Sequence, residues 1–274
     1  MDSLCKSSRQ SSSSPFDALL FDMDDTLYSY KIGIGQALKK NIDDFIMEKF
    51  GFSESEASAL RIELFRKYGS SLAGLRALGH DIDADEYHSF VHGRLPYHLI
   101  EPDSDLRSLL LTIHQRKIIF TNSDRVHAVK VLDRLGIRDC FERIICFETM
   151  NPNLSRRRPG EVPVVLKPAM EAMNIAVVSA GVVPRRTLFF DDNIQNIVAG
   201  NAIGLRTALV GTSKRTSKEC DYALEKVSDL IRVIPEIWFI GNTEVDDDKV
   251  MASSNRTRNS EMDSSFLAST SVGA

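Results

Sequence analysis

Short apolar runs alternate with stretches in which apolar residues recur at helical spacing. The runs are ALLF (18–21), KIIF (117–120), RIICF (143–147), TLFF (187–190) and RTALV (206–210). Each is short, lacks clean alternation and is rich in Ile, Leu, Val and Phe, the pattern of parallel strands covered on both faces. Between them the spacing predicts helices. Leu106, Leu109, Leu110 and Ile113 form an apolar stripe before KIIF. Val126, Val129, Leu132 and Leu135 form one after it, and Gly136 stands where a helix C-cap belongs. Ile194, Ile197 and Val198 follow TLFF. This alternation predicts an α/β fold, a doubly wound parallel sheet.

One interval breaks the rhythm. From Ser29 to about Asp103 no strand pattern occurs. Ser53 and Glu56 are spaced as a capping box opening ESEASALRIELFRKY, with Leu60 and Leu64 on one face and Gly69 closing the helix. So long a helical stretch directly after the first strand exceeds an ordinary loop. It predicts a small all-helical domain at 29–103, set on the carboxyl edge of a sheet built from 15–28 and 104–240. The Ser-rich segment 1–14 and the polar segment 241–274 lack periodic apolar signal and are predicted to be disordered tails.

Composition narrows the class. The 274 residues are 43% hydrophobic and 26% charged, with a formal net charge of -4. No basic stripe suits nucleic acid; the three arginines at 156–158 read as a solvated loop. No apolar run approaches a membrane span. Cys5, Cys140, Cys146 and Cys220 show neither CxxC nor zinc spacing, so reduced thiols in a cytoplasmic protein are expected. The alternative is organelle transit through the Ser-rich N-terminus, which has no apolar segment of the secretory kind.

Ligands of open parallel sheets bind beyond the carboxyl ends of the strands. After ALLF come Asp22, Met23, Asp24, Asp25 and Thr26. Thr121, Asn122 and Ser123 follow KIIF, and Asp191, Asp192 and Asn193 follow TLFF. Asp22 and Asp24, two apart, start on one face of an extended backbone, and Asp191 arrives from another strand. Such a carboxylate cluster needs protons or a metal to neutralise it. An all-oxygen donor set favours a hard cation, Mg²⁺ where phosphate also binds.

DMDDT matches DxDxT, the first motif of the haloacid dehalogenase superfamily of phosphatases. Thr121-Asn122-Ser123 resembles its second motif, Lys167-Pro168 its third, and Asp191-Asp192 with Asn196 its fourth. The four occur in the family's order, and the resemblance covers roughly 16–239. It implies a Rossmann-like core with an inserted C1 cap. Asp22 would be the nucleophile that forms an aspartyl-phosphate, and Asp24 the proton shuttle. Mg²⁺ would be held by the Asp22 carboxylate, the Asp24 main-chain carbonyl and Asp191. Thr121, the Asn122 amide and Lys167 would bind phosphoryl oxygens, with Asp192 supporting Lys167 or a metal-bound water. Thr26 is expected to brace the turn, and Asp25 to serve structure alone. Lys167-Pro168 can also be read as the mere start of the helix PAMEAMNIAVV.

His88 and His92 lie four apart but lack the glutamate of a zinc motif, and they read as packing or surface residues. Tyr68, His92 and Arg94 are the candidates for cap residues facing substrate. The segments FDMDDTLY, HGRLPY and EPDSDLRSLL resemble the pyrimidine 5′-nucleotidase branch, which implies a nucleoside monophosphate as small-molecule substrate. Sugar phosphates, pyridoxal phosphate, a phosphomutase reaction and a non-catalytic binding protein of the same fold are the alternatives. Dehalogenation is disfavoured, because expelling halide needs no acid at Asp24. A receiver domain would lack the helical insertion.

Overall fold

The computed structural model describes residues 13–154, 163–212 and 219–239. The arginines at 156–158, Cys5 and nearly all of both expected tails lie outside the described residues. Ser14, assigned from sequence to the N-terminal tail, is described: its N–H donates to the Phe239 carbonyl at 2.9 Å.

Among the described residues, six strands make one parallel sheet: β1 (Ala18–Phe21), β2 (Arg116–Phe120), β3 (Arg143–Ile145), β4 (Thr187–Asp191), β5 (Arg206–Val210) and β6 (Tyr222–Leu224). Their order is β3-β2-β1-β4-β5-β6. All four β1 side chains are buried, which their apolar character allows on both faces. Leu19 and Phe21 point to one face, where Ile119, Leu188 and Phe190 join them. Ala18 and Leu20 point to the other, with Ile118, Phe120 and Phe189. The rings of Phe21 and Phe190 stack across the strands at 4.5 Å between centroids.

Helices cover both faces. α5 (Ser104–Thr112), α6 (Arg125–Leu135) and α10 (Leu230–Val233) bury residues with Leu19 and Phe21. α8 (Met170–Ala180) and α9 (Ile194–Ala202) bury residues with Ala18 and Leu20. Gly136 ends α6 in the left-handed conformation, as its position after Leu135 predicts. The buried face of α6 is rotated from the expected one, however. Val126 is 63% exposed, while His127 is 2% exposed with Ala128 and Val131 beside it. A polar partner, described below, pulls that histidine inward.

Two other expectations need correction. The third strand stops at Ile145, because the next residues close local helical bonds: the Cys146 carbonyl accepts from Thr149 and Met150, opening the short α7 (Phe147–Met150). β6 is too short to show in an apolar pattern and becomes visible only through its pairing with β5.

Between β1 and β2, no described residue is in a strand. Instead come α1 (Ile34–Phe50), α2 (Glu54–Tyr68), α3 (Ser71–Ala77) and α4 (Ala84–Val91). The Ser53–Glu56 capping box forms, with the Ser53 N–H on Glu56 Oε2 at 2.9 Å, and left-handed Gly69 closes α2. Such a cap contributes about 1 kcal/mol. α2 and α3 approach so closely that a Cβ on Gly74 would lie 2.6 Å from Leu64 Cδ2 and 2.9 Å from Tyr68 Cδ2.

Candidate active site at the carboxyl end of the central strands

The sheet register creates the site. Phe21 pairs with Phe190, so the residues that follow them on the two strands, Asp22 and Asp191, also stand side by side. The Asp22 N–H continues the ladder by donating to the Phe190 carbonyl at 2.8 Å. Neighbouring strands lie about 4.8 Å apart, which forces two carboxylates into one small volume. Both are buried, at 7% and 0% exposure.

Lys167 enters this volume from a different loop. Its Nζ donates to Asp22 Oδ1 at 2.7 Å, Asp191 Oδ2 at 2.7 Å and the Phe120 carbonyl at 2.9 Å. Its stem runs past Phe120 and Phe189, whose ring centroids lie 5.0 and 5.6 Å from the ammonium. Burial alone would lower the Lys167 pKa, but the charges of Asp191 and Asp22 outweigh it and raise it above the usual lysine range. The Lys167–Pro168 peptide is cis, and α8 starts at Met170, two residues later than Pro168 as its first turn would require. Asn122 holds this loop: its Nδ2 donates to the Lys167 carbonyl at 3.0 Å, and its Oδ1 accepts from the Lys167 N–H at 2.8 Å.

Asp22 carries a net electrostatic deficit. Burial pushes its carboxyl well above the ordinary carboxylate range; Lys167 pulls it down, and Asp191 and Asp192 push it up again. Thr26 donates to Asp22 Oδ2 at 2.8 Å, so this threonine braces the turn and also holds the carboxylate. Asp191 is fixed through Oδ1, which accepts from the Asn193 N–H and from Asn196 Nδ2, both at 2.9 Å. Asp192 stands at the more exposed edge; lost hydration and the charges of Asp191 and Asp25 push it up to about 6.

Carboxylate oxygens of Asp22, Asp191 and Asp192 all lie within 4.8 Å of one another. The donor set is oxygen only, with surplus negative charge beyond what Lys167 neutralises. These residues therefore fit a hard divalent cation such as Mg²⁺.

Asp24 occupies different surroundings. The strand ends at Phe21, and Thr26 and Leu27 N–H groups donate to the Met23 carbonyl, so the extended backbone expected through Asp24 gives way to a turn. Asp25 adopts φ 60 there, a left-handed conformation that aspartate tolerates better than most residues. The Asp24 carboxylate turns away from Asp22 and accepts from Tyr28 Oη at 2.6 Å, His127 Nε2 at 2.8 Å and Ser123 Oγ at 2.7 Å. Burial by itself would raise its pKa; the His127 charge and these three donors overcome it and hold Asp24 far below the usual range. His127 responds in the opposite sense: burial lowers its pKa, and the Asp24 charge more than reverses this.

Of the candidates named from sequence, the structure brings together Asp22, Lys167, Asp191 and Asp192, with Asn122 holding the lysine loop. Thr121 is buried at the end of β2, its Oγ1 accepting from the Ser123 N–H at 3.1 Å. His92 is buried, with its Nδ1 bonded to Asp124 Oδ2 and its ring stacked on His127 at 4.4 Å. Tyr68 lies half-buried against the α2–α3 contact, and Arg94 pairs at the surface with Glu48 and over the Phe90 ring. Neither has a described polar contact with the carboxylates. Asp124 and His127 escape a motif reading, and nothing in the motifs marks Tyr28 and Ser123 as partners of the Asp24 carboxylate. The signal for His127 was a histidine one position from an apolar stripe whose phase was misjudged.

A family model described as haloacid dehalogenase-like hydrolase matches residues 16–204. The chain belongs to that hydrolase family. It is 28% identical over 195 residues to Phosphate metabolism protein 8 of Saccharomyces cerevisiae, covering 68% of this chain and 58% of that one. It is 24% identical over 144 residues to Pyrophosphatase PpaX of Halalkalibacterium halodurans, covering 50% and 61%. The chain thus spans about three-fifths of the length of each of these relatives. Among solved structures, a HAD phosphatase from Thermococcus onnurineus superposes with a TM-score of 0.54 at 18% identity, covering 79% of this chain and 97% of that one. The HAD hydrolase YfnB from Bacillus subtilis gives 0.51 at 18% identity, covering 79% and 97%. These likenesses confirm the fold. No helix among the described residues is long and apolar enough to cross a membrane.

Proposed function

We propose that the chain is a Mg²⁺-dependent phosphomonoester hydrolase working through an aspartyl-phosphate, with nucleoside 5′-monophosphates, pyrimidine ones first, as substrates. The observation that carries this reading is the buried Asp22 carboxylate beside the strand-end Asp191, with the Lys167 ammonium bridging the two. The names of both sequence relatives point to phosphate chemistry. The pyrimidine preference rests on the cap-segment resemblance. The helical interval 29–103 is the proposed cap, and the proposed location is the cytoplasm.

The chemistry follows from what each side chain can do. Asp22 attacks phosphorus in line, and the bond from phosphorus to the alkoxide oxygen breaks as the acyl-phosphate bond forms. Lys167 supplies fixed positive charge where an anion approaches an anion. Asp22, the Asp24 carbonyl and Asp191 would hold Mg²⁺, with Asp192 beside them. The ion, when bound, neutralises nucleophile and phosphoryl oxygens together. Thr121 Oγ1 and the main-chain N–H of Asn122 bind the phosphoryl group. Asp24 delivers a proton to the leaving alkoxide; its ionised resting form receives that proton from a substrate monoanion, whose second pKa is about 6. It then takes a proton from the water that hydrolyses the intermediate.

The test is phosphate release across nucleoside monophosphates, sugar phosphates and pyridoxal phosphate, with and without Mg²⁺, by wild type and by Asp22→Asn. Highest kcat/KM on UMP or CMP supports the full reading. Turnover with another preference removes the nucleotide assignment only, and no turnover of any ester sinks the enzyme reading.

A further inference from the structure

We infer that His127, steered by Tyr97, is a positioning residue that aims the Asp24 carboxyl at the leaving-group oxygen. The inference rests on the phosphatase reading above and extends it to residues outside the four motifs.

The geometry is specific. Tyr28 and Ser123 reach Asp24 from the turn and the strand end that already form the site floor. His127 reaches it from the first turn of α6, where the Asp124 side chain caps the helix by accepting the His127 N–H at 3.0 Å. Its ring is locked on three sides: Nε2 on Asp24, Nδ1 sharing a hydrogen bond with Tyr97 Oη at 2.8 Å, and one face on the His92 ring. Both nitrogens of this buried ring are thus satisfied, as burial requires, and one of the two partners is the Asp24 carboxylate itself. Tyr97 belongs to the stretch that returns from the helical interval to β2, in a short 3-10 turn at Tyr97–Leu99.

An aspartate side chain has free rotation about two bonds. A carboxyl that samples several rotamers presents its proton to the leaving oxygen only part of the time. Fixing Oδ1 from His127 as well as from Tyr28 removes that freedom before substrate arrives, the condition for effective proton transfer. Tyr97 adds the last constraint, because without it the imidazole can turn about its own ring axis.

A group that acts by aiming an acid matters most when the leaving group needs a proton. The experiment compares kcat and KM for wild type, Asp24→Asn, His127→Gln, Tyr97→Phe and the Asp24→Asn/His127→Gln double variant. Two esters are used: the alkyl phosphate that wild type turns over fastest, and p-nitrophenyl phosphate, whose phenoxide departs without a proton. Thermal melts check that each variant folds, and Tyr97→Phe removes a single oxygen. His127→Gln is expected to lower kcat on the alkyl ester about 10- to 100-fold, within the range of general-acid contributions. The loss on the aryl ester should be at least five-fold smaller, with KM little moved. Tyr97→Phe should show the same selectivity at smaller size. In the double variant, the alkyl-to-aryl ratio should equal that of Asp24→Asn alone, since His127 acts through Asp24. Equal losses on both esters, no loss, or a further ratio change in the double variant overturns the inference while leaving the phosphatase reading intact. Wild type that hydrolyses neither ester overturns both.

Discussion

Lys167 and Asp22, 145 residues apart in the chain, meet in the buried floor of the site with Nζ 2.7 Å from Oδ1. The lysine also serves Asp191, so a single ammonium neutralises part of two buried charges. Lys167→Ala leaves those carboxylates facing each other without it. Breaking a buried pair in this way costs about 3–5 kcal/mol. The melting temperature of the variant should fall sharply in EDTA and recover in part with millimolar Mg²⁺, while phosphatase activity is lost in both. Equal melting of variant and wild type in EDTA would show that the ammonium has no neutralising role.

Asp22→Asn acts differently on activity and stability. Turnover should fall by about 10³-fold or more, because an amide cannot form the acyl-phosphate. Burial, with Asp191 and Asp192 beside it, outweighs the pull of Lys167 and disfavours the Asp22 charge, so its removal relieves a net unfavourable interaction while Lys167 keeps Asp191 as partner. Without metal, the variant should melt no lower than wild type at pH 7.5. Calorimetry beside a phosphate-release assay separates the two effects.

Asp192, pushed up to about 6, would make the affinity of the proposed Mg²⁺ site depend on pH. Below that value the carboxyl holds a proton that a cation must displace. The apparent Mg²⁺ constant for activity should weaken as pH falls from 7.5 to 5.5. Asp192→Asn should bind Mg²⁺ less tightly at pH 7.5 and lose that part of the pH dependence. Titrations of activity against Mg²⁺ at four pH values provide the check.

His88 predicts a stability slope of its own. Burial and the neighbouring His92 lower its pKa to about 4, against the smaller opposing pull of Asp124 and Glu148; its ring meets Phe147 edge-on at 4.5 Å. A histidine with a lower pKa folded than unfolded binds protons preferentially in the unfolded chain. Its contribution is therefore fully present above the unfolded value of about 6.5 and is lost progressively as pH falls toward 4. Melting curves of wild type and His88→Asn between pH 7.5 and 4.5 should converge at the acid end. Parallel curves would remove His88 from the account.

Gly74 tests the packing of the helical interval. A methyl group there meets Leu64 and Tyr68 below 3.0 Å, so α2 and α3 must separate. Gly74→Ala should cost about 1–3 kcal/mol, the usual range for overpacking. Denaturant unfolding measures it, and a change below about 0.5 kcal/mol would mean that the two helices yield freely.

Much of this site is legible in the sequence. Apolar runs covered on both faces located β1, β2, β4 and β5, because a buried parallel strand has no polar side to blur it. The strand-end rule then pointed to Asp22, Thr121 and Asp191. What stayed hidden depends on distance in sequence or on phase. Lys167 is legible only through the motif order, since a lysine before a proline can also simply open a helix; its 2.7 Å approach to two carboxylates comes from the fold. Asp24 was expected beside Asp22, but the turn at Met23 sends it to Ser123 and His127, about 100 residues away. His127 itself was obscured because Val126, an apolar residue, faces solvent next to it. β6 could not be seen at all, since three residues carry no period.

β1 is gripped on both flanks, by β2 in register Phe21 to Ile119 and by β4 in register Phe21 to Phe190. The height at which Asp22 leaves the sheet is thus set by backbone pairing alone. Nothing between Ser29 and Asp103 takes part in that pairing. The interval's ties to the site run instead through Tyr97 and His92, which bond to and stack on the His127 ring beside Asp24. Helices exchanged in that interval would leave Asp22 at its height, but Asp24 would keep its surroundings only if Tyr97 and His92 were kept with it.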